Sequence, residues 1–242
     1  MRQAIIALIV GLAITIPAAA QTVDEIIAKN TAAKGGADKL KAVKTVRMTG
    51  KMTIAPGVEA PIVMELQREG GMRIDITVQG MVVSQGYDGT KAWMVNPLQG
   101  SKAPQEMSAD DTKSVEEQAD IDGPLIDYKA KGHTVELLGK EKVEGSDAYK
   151  VKVTMKNGTI RTFYIDAEHF LEIKEESKRM QRGTEVEGDT IYGDYKEVGG
   201  MMFAHSIDGG QKGAPARQKV VVDKIEINVP IDASRFKMPE AK

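Results

Sequence analysis

Apolar and polar residues alternate with a period of two along most of the chain. In residues 45–54 the apolar side chains fall at even positions, at Val46, Met48, Met52 and Ile54. This period places apolar side chains on one face of a strand and polar side chains on the other. The same alternation returns in residues 58–66 and 72–78, each time after a Pro-Gly or Gly-Gly pair. Connections this short predict antiparallel neighbours.

A second block of strands follows the middle of the chain. Apolar residues alternate in residues 149–155 and 161–165, and Asn157-Gly158 between them favours a tight hairpin. Residues 209–215 predict an exposed loop. The other predicted strands, which bring the total to roughly ten, cover residues 135–137, 171–176, 190–195, 202–207 and 219–229.

Helical signals occur at the start and in the middle of the chain. Thr22 to Glu25 has the capping-box pattern, and Gly35-Gly36 ends the helix that it begins. Residues 37–43 can add a second short helix. Ser108 is a candidate cap for a polar helix that runs to about Ala119, and residues 121–128 are predicted to extend it as a second helical piece.

These elements favour one mainly β domain built from a large antiparallel meander with one apolar face. Ten strands of ~8 residues present a face of roughly 1,250 Å². Some 35 helical residues cover roughly 500 Å² of it. The remainder requires a curled sheet, a second protein or an apolar ligand, because soluble proteins rarely expose so large an apolar patch.

The first twenty residues predict a secretory signal peptide. Arg2 precedes an uncharged run from Ala4 to Ile16, and Ala18-Ala19-Ala20 supplies small residues for cleavage before Gln21. The chain has no Cys, so neither a disulfide nor the lipid-attached Cys of a bacterial lipoprotein is available. The expected product is a periplasmic chain, residues 21–242, with 32 basic and 35 acidic side chains.

Composition and motifs give little support for catalysis or for nucleic-acid binding. The 33 basic and 35 acidic residues give no strong field of one sign, so no nucleic-acid partner is expected. The chain lacks thiol nucleophiles, a Gly-x-Ser-x-Gly elbow and a Walker loop. Its three histidines, His133, His169 and His205, show no spacing typical of a metal site. We therefore expect no enzyme activity, no metal and no cofactor.

The apolar face of the first strand block is rich in methionine, whose flexible side chain suits surfaces that repack around apolar guests. Methionine that simply fills an irregular core is the alternative. The candidate ligand-binding residues are those of this face and the single tryptophan: Val46, Met48, Met52, Met64, Leu66, Ile74, Ile76 and Trp93.

The tryptophan lies in a distinctive segment, residues 88–97, which reads Asp-Gly-Thr-Lys-Ala-Trp-Met-Val-Asn-Pro. Asp88-Gly89 predicts a hairpin turn, and Asn96-Pro97 predicts the end of the next strand. The segment resembles the DG-x-x-x-W-x-x-[ND]-P strand of LolA-like periplasmic lipoprotein carriers. The order of helices and strand blocks, and the ending at residues 232–239, are similar more loosely.

The resemblance implies an incomplete, strongly curved antiparallel barrel whose concave apolar face is covered by the N-terminal and mid-chain helices. It implies a non-catalytic, monomeric carrier that holds acyl chains of a lipid or lipoprotein. It also implies an inner-membrane release complex and an outer-membrane acceptor as partners. An interaction or sensor module that uses this fold without a lipid ligand is the alternative, and a hydrolase is a more distant one.

Arg68 is a candidate gating residue by the same resemblance. The family has an Arg-Pro pair about nineteen residues before its Asp-Gly, on the strand that opens and closes the lid. Here Arg68 lies twenty residues before Asp88, but Glu69 follows it in place of proline. An exposed arginine at a strand end is the alternative.

We expect the mature chain to begin at Gln21 and to fractionate with soluble periplasmic proteins, because the apolar run is shorter than the ~20 residues that span a membrane. N-terminal sequencing of the purified protein checks this expectation. A chain that begins at Met1 and sediments with membranes would contradict it.

Overall fold

The computed structural model describes residues 21–240 except 69, 101, 182, 215 and 216. The predicted signal peptide, residues 1–20, lies outside the described residues. Within the described residues no helix is both long enough and apolar enough to cross a membrane.

Three α-helices and thirteen strands form the described part of the chain. The helices are α1 (Val23–Ala33), α2 (Ala37–Ala42) and α3 (Ala109–Ala119). The strands of the first block are β1 (Thr45–Ala55), β2 (Val58–Gln67), β3 (Gly71–Val78), β4 (Met81–Asp88), β5 (Ala92–Val95) and β6 (Gln105–Glu106). The strands of the second block are β7 (Thr134–Val143), β8 (Ser146–Thr154), β9 (Ile160–Asp166), β10 (Glu172–Gln181), β11 (Thr184–Val198), β12 (Met201–Gln211) and β13 (Gln218–Ile227).

The predicted fold class is confirmed. All the described strands belong to one antiparallel sheet in the order β6-β5-β4-β3-β2-β1-β13-β12-β11-β10-β9-β8-β7. The two strand blocks are meanders joined by pairing of the first and last strands, with Val46 opposite Ile227. The edge strands β6 and β7 do not pair with each other, so the mainly β sheet is an incomplete barrel.

The order of strands determines where the mid-chain insertion runs. β6 and β7 are consecutive in sequence but lie at opposite edges of the sheet. The chain between them, which contains α3 and a run of turns at residues 121–132, must therefore cross from one edge to the other. We call these turns the turn segment. The insertion crosses on the apolar face, where Val115 and Ala119 of α3 pack with strand residues such as Val46 and Met72.

Local signals correctly predicted both main helix starts. Thr22 and Glu25 form a capping box at α1, and the Ser108 hydroxyl accepts a hydrogen bond from the Asp111 amide at α3. Residues 121–128 form turns and no helix, so the predicted second helical piece is wrong. The Asp120 backbone is extended (ψ 99°) and ends α3, because a helix cannot continue through that conformation.

Two further expectations about the strands need correction. The sheet has more strands than the roughly ten expected. The sequence of β4, MVVSQGYD, does not alternate, and the edge strand β6 is only two residues long, so neither gave a strand signal. Residues 209–211 belong to β12 and are not loop. Asp208 and Gly209 pair with Lys219 and Gln218 of β13, which holds this glycine-rich stretch in the ladder.

The convex face of the sheet holds the C-terminal segment in place. Trp93 is fully buried, and its Nε1–H donates a hydrogen bond to the carbonyl oxygen of Phe236 at 2.7 Å. Glu65 accepts hydrogen bonds from Arg47 at 2.9 Å and from Arg235 at 2.5 Å. These contacts attach residues 235–236 to strands of the first block, far away in sequence.

Gly86 lies directly opposite Trp93 in the β4–β5 pair, and the indole occupies the space that a side chain would need. A Cβ atom at Gly86 would lie 2.3 Å from Trp93 Cζ2. We expect Gly86→Ala to lower the free energy of unfolding by about 1–3 kcal/mol through overpacking. Urea denaturation measures the change.

Gly193→Ala is the matched control, because no described atom lies within 4 Å of a Cβ atom there. We expect it to change stability by less than about 0.5 kcal/mol. Equal effects of the two substitutions would contradict the packing role of Gly86.

Candidate functional site

A cavity of about 360 Å³ lies between the concave face of the sheet and the elements that cover it. Its volume falls within the range of roughly 300–1,000 Å³ typical of small-molecule sites. Strands from both blocks, α2 and the turn segment contribute its apolar lining: Leu40, Met48, Met64, Ile121, Pro124, Leu125, Ile126, Phe163, Met202, Phe203, Ala204 and Ile207.

Strand pairing explains why the two methionines of this lining lie together. Met48 of β1 and Met64 of β2 are directly opposite each other, and Ile74 of β3 is opposite Met64. Residues that face each other across strands project on the same side of the sheet. All three pack at the margin of a core formed by the sheet, α2 and α3.

Arg68 fastens the turn segment to the end of β2. Its guanidinium binds Asp122 through two contacts, at 2.6 and 2.9 Å, and donates hydrogen bonds to the carbonyl oxygens of Leu40 and Val43. The hydrogen bonds to Asp122 raise the pKa of Arg68, although partial burial alone would lower it. Asp122 lies among the cavity-lining residues of the turn segment, so Arg68 connects that segment to the sheet.

A buried ionic cluster lines the other flank of the cavity. Arg161 of β9 contacts Glu117 of α3 at 2.9 Å and Glu175 of β10 at 3.2 Å. Lys34 contacts Glu172 at 3.0 Å, and the Tyr192 hydroxyl donates to Glu175 at 2.9 Å. Each of these groups lines the cavity.

The protonation states of this cluster follow from its partners. Burial alone would lower the pKa of Arg161, but the carboxylates of Glu175 and Glu117 raise it above its ordinary value. Burial raises the pKa of Tyr192 strongly, and the neighbouring Glu175 raises it further. At neutral pH the guanidinium is therefore charged and the phenol keeps its proton.

Seven of the eight predicted ligand-binding residues lie on the concave side of the sheet, in three places. Met48 and Met64 line the cavity. Val46 and Leu66 are buried in the core beneath α2 and α3, with Ile74 at its margin. Met52 and Ile76 share the concave side by strand alternation, and neither belongs to the lining of the cavity.

Trp93 lies on the opposite face of the sheet and does not line the cavity, so its expected contact with a ligand requires correction. Its neighbour Ala92 belongs to the concave core, and alternation along β5 turns Trp93 toward the convex face. There it contacts Gly86, Phe236 and the guanidinium of Arg73. Its role is to hold the C-terminal segment.

Sequence reasoning missed most of the second flank of the cavity. Arg161, Glu172 and Glu175 were not among the predicted site residues. An extra residue in β10 between Glu172 and Lys174 shifts its register against β9, so Glu172 opposes Ile165 and Glu175 opposes Phe163. This bulge puts both glutamates on the concave face, and simple alternation would have separated them.

A second concavity, of about 590 Å³, lies between α1 and the outer side of the turn segment. Ile27, Ala28, Leu125 and Ile126 contribute to its lining, and none of the residues around it belongs to a strand. We take the cavity on the sheet as the candidate site because residues of the strands and of the elements that cover them line it together. Within the described residues no group of three or more His, Asp or Glu side chains is placed to hold a metal ion.

No family model matches the sequence, and no curated protein matches it. Solved structures do share its fold. A LolA superfamily protein from Nitrosomonas europaea is 13% identical, with a TM-score of 0.59 over 90% of this chain and 98% of the other. A DUF1329 family protein from Desulfovibrio piger is 11% identical, with a TM-score of 0.61 over 89% and 97%.

A domain assigned to outer-membrane lipoprotein sorting, from Vibrio parahaemolyticus, is 14% identical, with a TM-score of 0.57 over 88% of this chain and 94% of the other. Identities this low show the fold alone. The chain has a LolA-like fold, as the segment around Trp93 indicated.

We expect Arg68→Gln to loosen the turn segment, because glutamine cannot make the two charged contacts with Asp122. Hydrogen–deuterium exchange of residues 121–132 should become about tenfold faster, since a hydrogen bond to a charged group contributes on the order of 1.5–3 kcal/mol and partial exposure reduces that value.

Arg217→Gln is the matched control, because Arg217 also makes two contacts with an aspartate, Asp189, but lines no part of the cavity. Exchange in residues 121–132 should be unchanged in that variant. Unchanged exchange in Arg68→Gln as well would contradict the role of Arg68 as a fastener.

Proposed function

We propose that residues 21–242 form one non-catalytic domain that holds an acyl chain of a lipid or lipoprotein in the cavity on the sheet. The observation that supports this proposal most directly is the apolar lining that Met48, Met64 and Phe203 form beneath the turn segment. Flexible methionine and aromatic side chains can repack around a methylene chain. Removal of apolar surface from water is favourable by ~25 cal/mol per Å², and the entropy lost on association offsets part of that gain.

Ligand exchange in this proposal depends on movement of the turn segment. Ile121, Pro124 and Leu125 lie over the cavity, and Arg68 connects their segment to the sheet through Asp122. Opening exposes the apolar lining to an incoming chain, and closing buries that chain. Arg68 is thus the gating residue of the proposal.

The proposed setting is the periplasm. The predicted signal peptide supports export, and the LolA-like fold occurs in a domain assigned to outer-membrane lipoprotein sorting. Transport of the ligand toward the outer membrane, between a release complex and an acceptor, is the fuller form of the proposal. An interaction or sensor module without a lipid ligand is the competing function. The two functions differ in whether the cavity binds an acyl chain or is packed as ordinary core.

Met64→Glu tests the proposal directly. An unpaired carboxylate in the apolar lining costs several kcal/mol or takes up a proton. We expect the purified parent to bind a fluorescent fatty-acid probe saturably and Met64→Glu to bind none, by fluorescence titration. Met180→Glu is the control, because Met180 is 53% exposed and lies outside the lining of the cavity.

Circular dichroism confirms that each variant is folded, and Met64→Ala separates a cavity from a solid core. We expect it to lower stability by less than the 2–5 kcal/mol typical of a large-to-small core deletion. A folded parent that binds no probe, lipid or acyl peptide at micromolar concentration, with a core-like loss in Met64→Ala, would favour the interaction module.

A further inference from the structure

The two flanks of the cavity differ in chemistry. The β1–β2 flank presents Met48 and Met64, which are apolar. The β9–β11 flank presents Arg161, Glu175 and Tyr192, and the β10 residue Glu172 lies beside them. Glu172 and Glu175 are each 7% exposed, so these carboxylates lie in the wall of the cavity and not on its outer rim.

An ionic wall is a costly way to surround a methylene chain. Moving charged groups out of water carries a desolvation penalty that well-packed apolar side chains of similar volume avoid. Aliphatic residues could line a cavity for acyl chains alone without this desolvation penalty. The ionic flank therefore indicates a ligand that has a polar part as well as an apolar part.

The charges on this flank disfavour an anionic ligand. Lys34 and Arg161 supply two positive charges, and Glu117, Glu172 and Glu175 supply three negative charges, an excess of one negative charge. An added carboxylate or phosphate would face this excess at low dielectric, where repulsion is strong.

The carboxylates on this flank are hydrogen-bond acceptors. Glu172 and Glu175 line the cavity, and an ionised carboxylate accepts hydrogen bonds but donates none. A hydroxyl group can donate to them without adding a negative charge, which suits the charge excess on this flank.

We propose that the cavity selects an amphiphile with an uncharged, hydroxyl-bearing headgroup. The headgroup lies against Glu172, Glu175 and Arg161, and the acyl chain extends toward Met48 and Met64. This inference rests on the proposed function and adds to it the chemical class of the ligand.

Two probes of equal chain length test the headgroup: 1-monododecanoylglycerol, which is neutral, and dodecanoate, which is ionised at pH 8. Isothermal titration below their critical micelle concentrations measures each Kd on the purified protein. We expect the glycerol ester to bind at least about tenfold more tightly than dodecanoate.

An ionised headgroup weakens binding to any apolar site, so a difference between the two probes is not decisive by itself. The decisive quantity is the ratio of the dodecanoate Kd to the glycerol-ester Kd, and how that ratio changes between variants. Glu175→Gln keeps the shape and removes one negative charge, so we expect dodecanoate to gain affinity and the ratio to fall below about threefold. Glu172→Gln should act in the same direction. Glu176→Gln is the matched control, because Glu176 faces away from the cavity and pairs with Lys174.

The outcomes separate the two proposals. If both probes bind and the ratio is the same in the parent, Glu172→Gln and Glu175→Gln, all folded by thermal denaturation, the headgroup assignment is wrong while the acyl cavity stands. Tighter binding of dodecanoate to the parent would also overturn the headgroup assignment. If neither probe binds the folded parent, the proposed function fails together with this inference.

Discussion

A wide antiparallel sheet with one apolar face must have that face covered, and the structure meets this constraint with very few residues. Three helices of eleven, six and eleven residues contribute to the cover. Because β6 and β7 lie at opposite edges, the insertion between them has to cross the sheet, and the apolar face is where its Val115 and Ala119 are buried. The space left between this crossing and the strands is the cavity.

The crossing is attached at its sides by ionic contacts. Arg68 binds Asp122 in the turn segment, and Arg161 binds Glu117 at the end of α3. Both arginines extend from the sheet to the insertion. Breaking a buried pair such as Arg161 and Glu117 would leave an uncompensated charge, so these contacts hold the insertion on the sheet.

The convex face serves a different purpose. Trp93, Gly86 and Phe236 bring the end of the chain onto strands of the first block, and Glu65 joins Arg47 to Arg235 beside them. Together with the β1–β13 pairing, these contacts hold the first and last parts of the chain together. Because these contacts lie on the convex face, the C-terminal segment does not occupy the concave face, where the cavity lies.

The sequence by itself determined the elements that depend on local chemistry. Alternation located β1, β2, β3, β8 and β9, the caps at Thr22 and Ser108 located the helix starts, and the segment around Trp93 indicated the fold. It also placed Met48 and Met64 on one face, because both the period of a strand and the pairing of a short hairpin are local properties.

Three features became clear only from the tertiary structure. They are the residues that form the polar flank of the cavity, the side of the sheet that Trp93 faces, and the residue that binds Arg68. A single extra residue in β10 turned Glu172 and Glu175 inward, and such a bulge leaves no reliable signal in one sequence. Trp93 faces outward because its neighbour Ala92 is buried in the concave core, and Gly86, opposite Trp93 on β4, leaves room for the indole. Asp122 meets Arg68 because the insertion crosses the sheet, and that crossing depends on which strands pair over the whole chain, which no local pattern specifies.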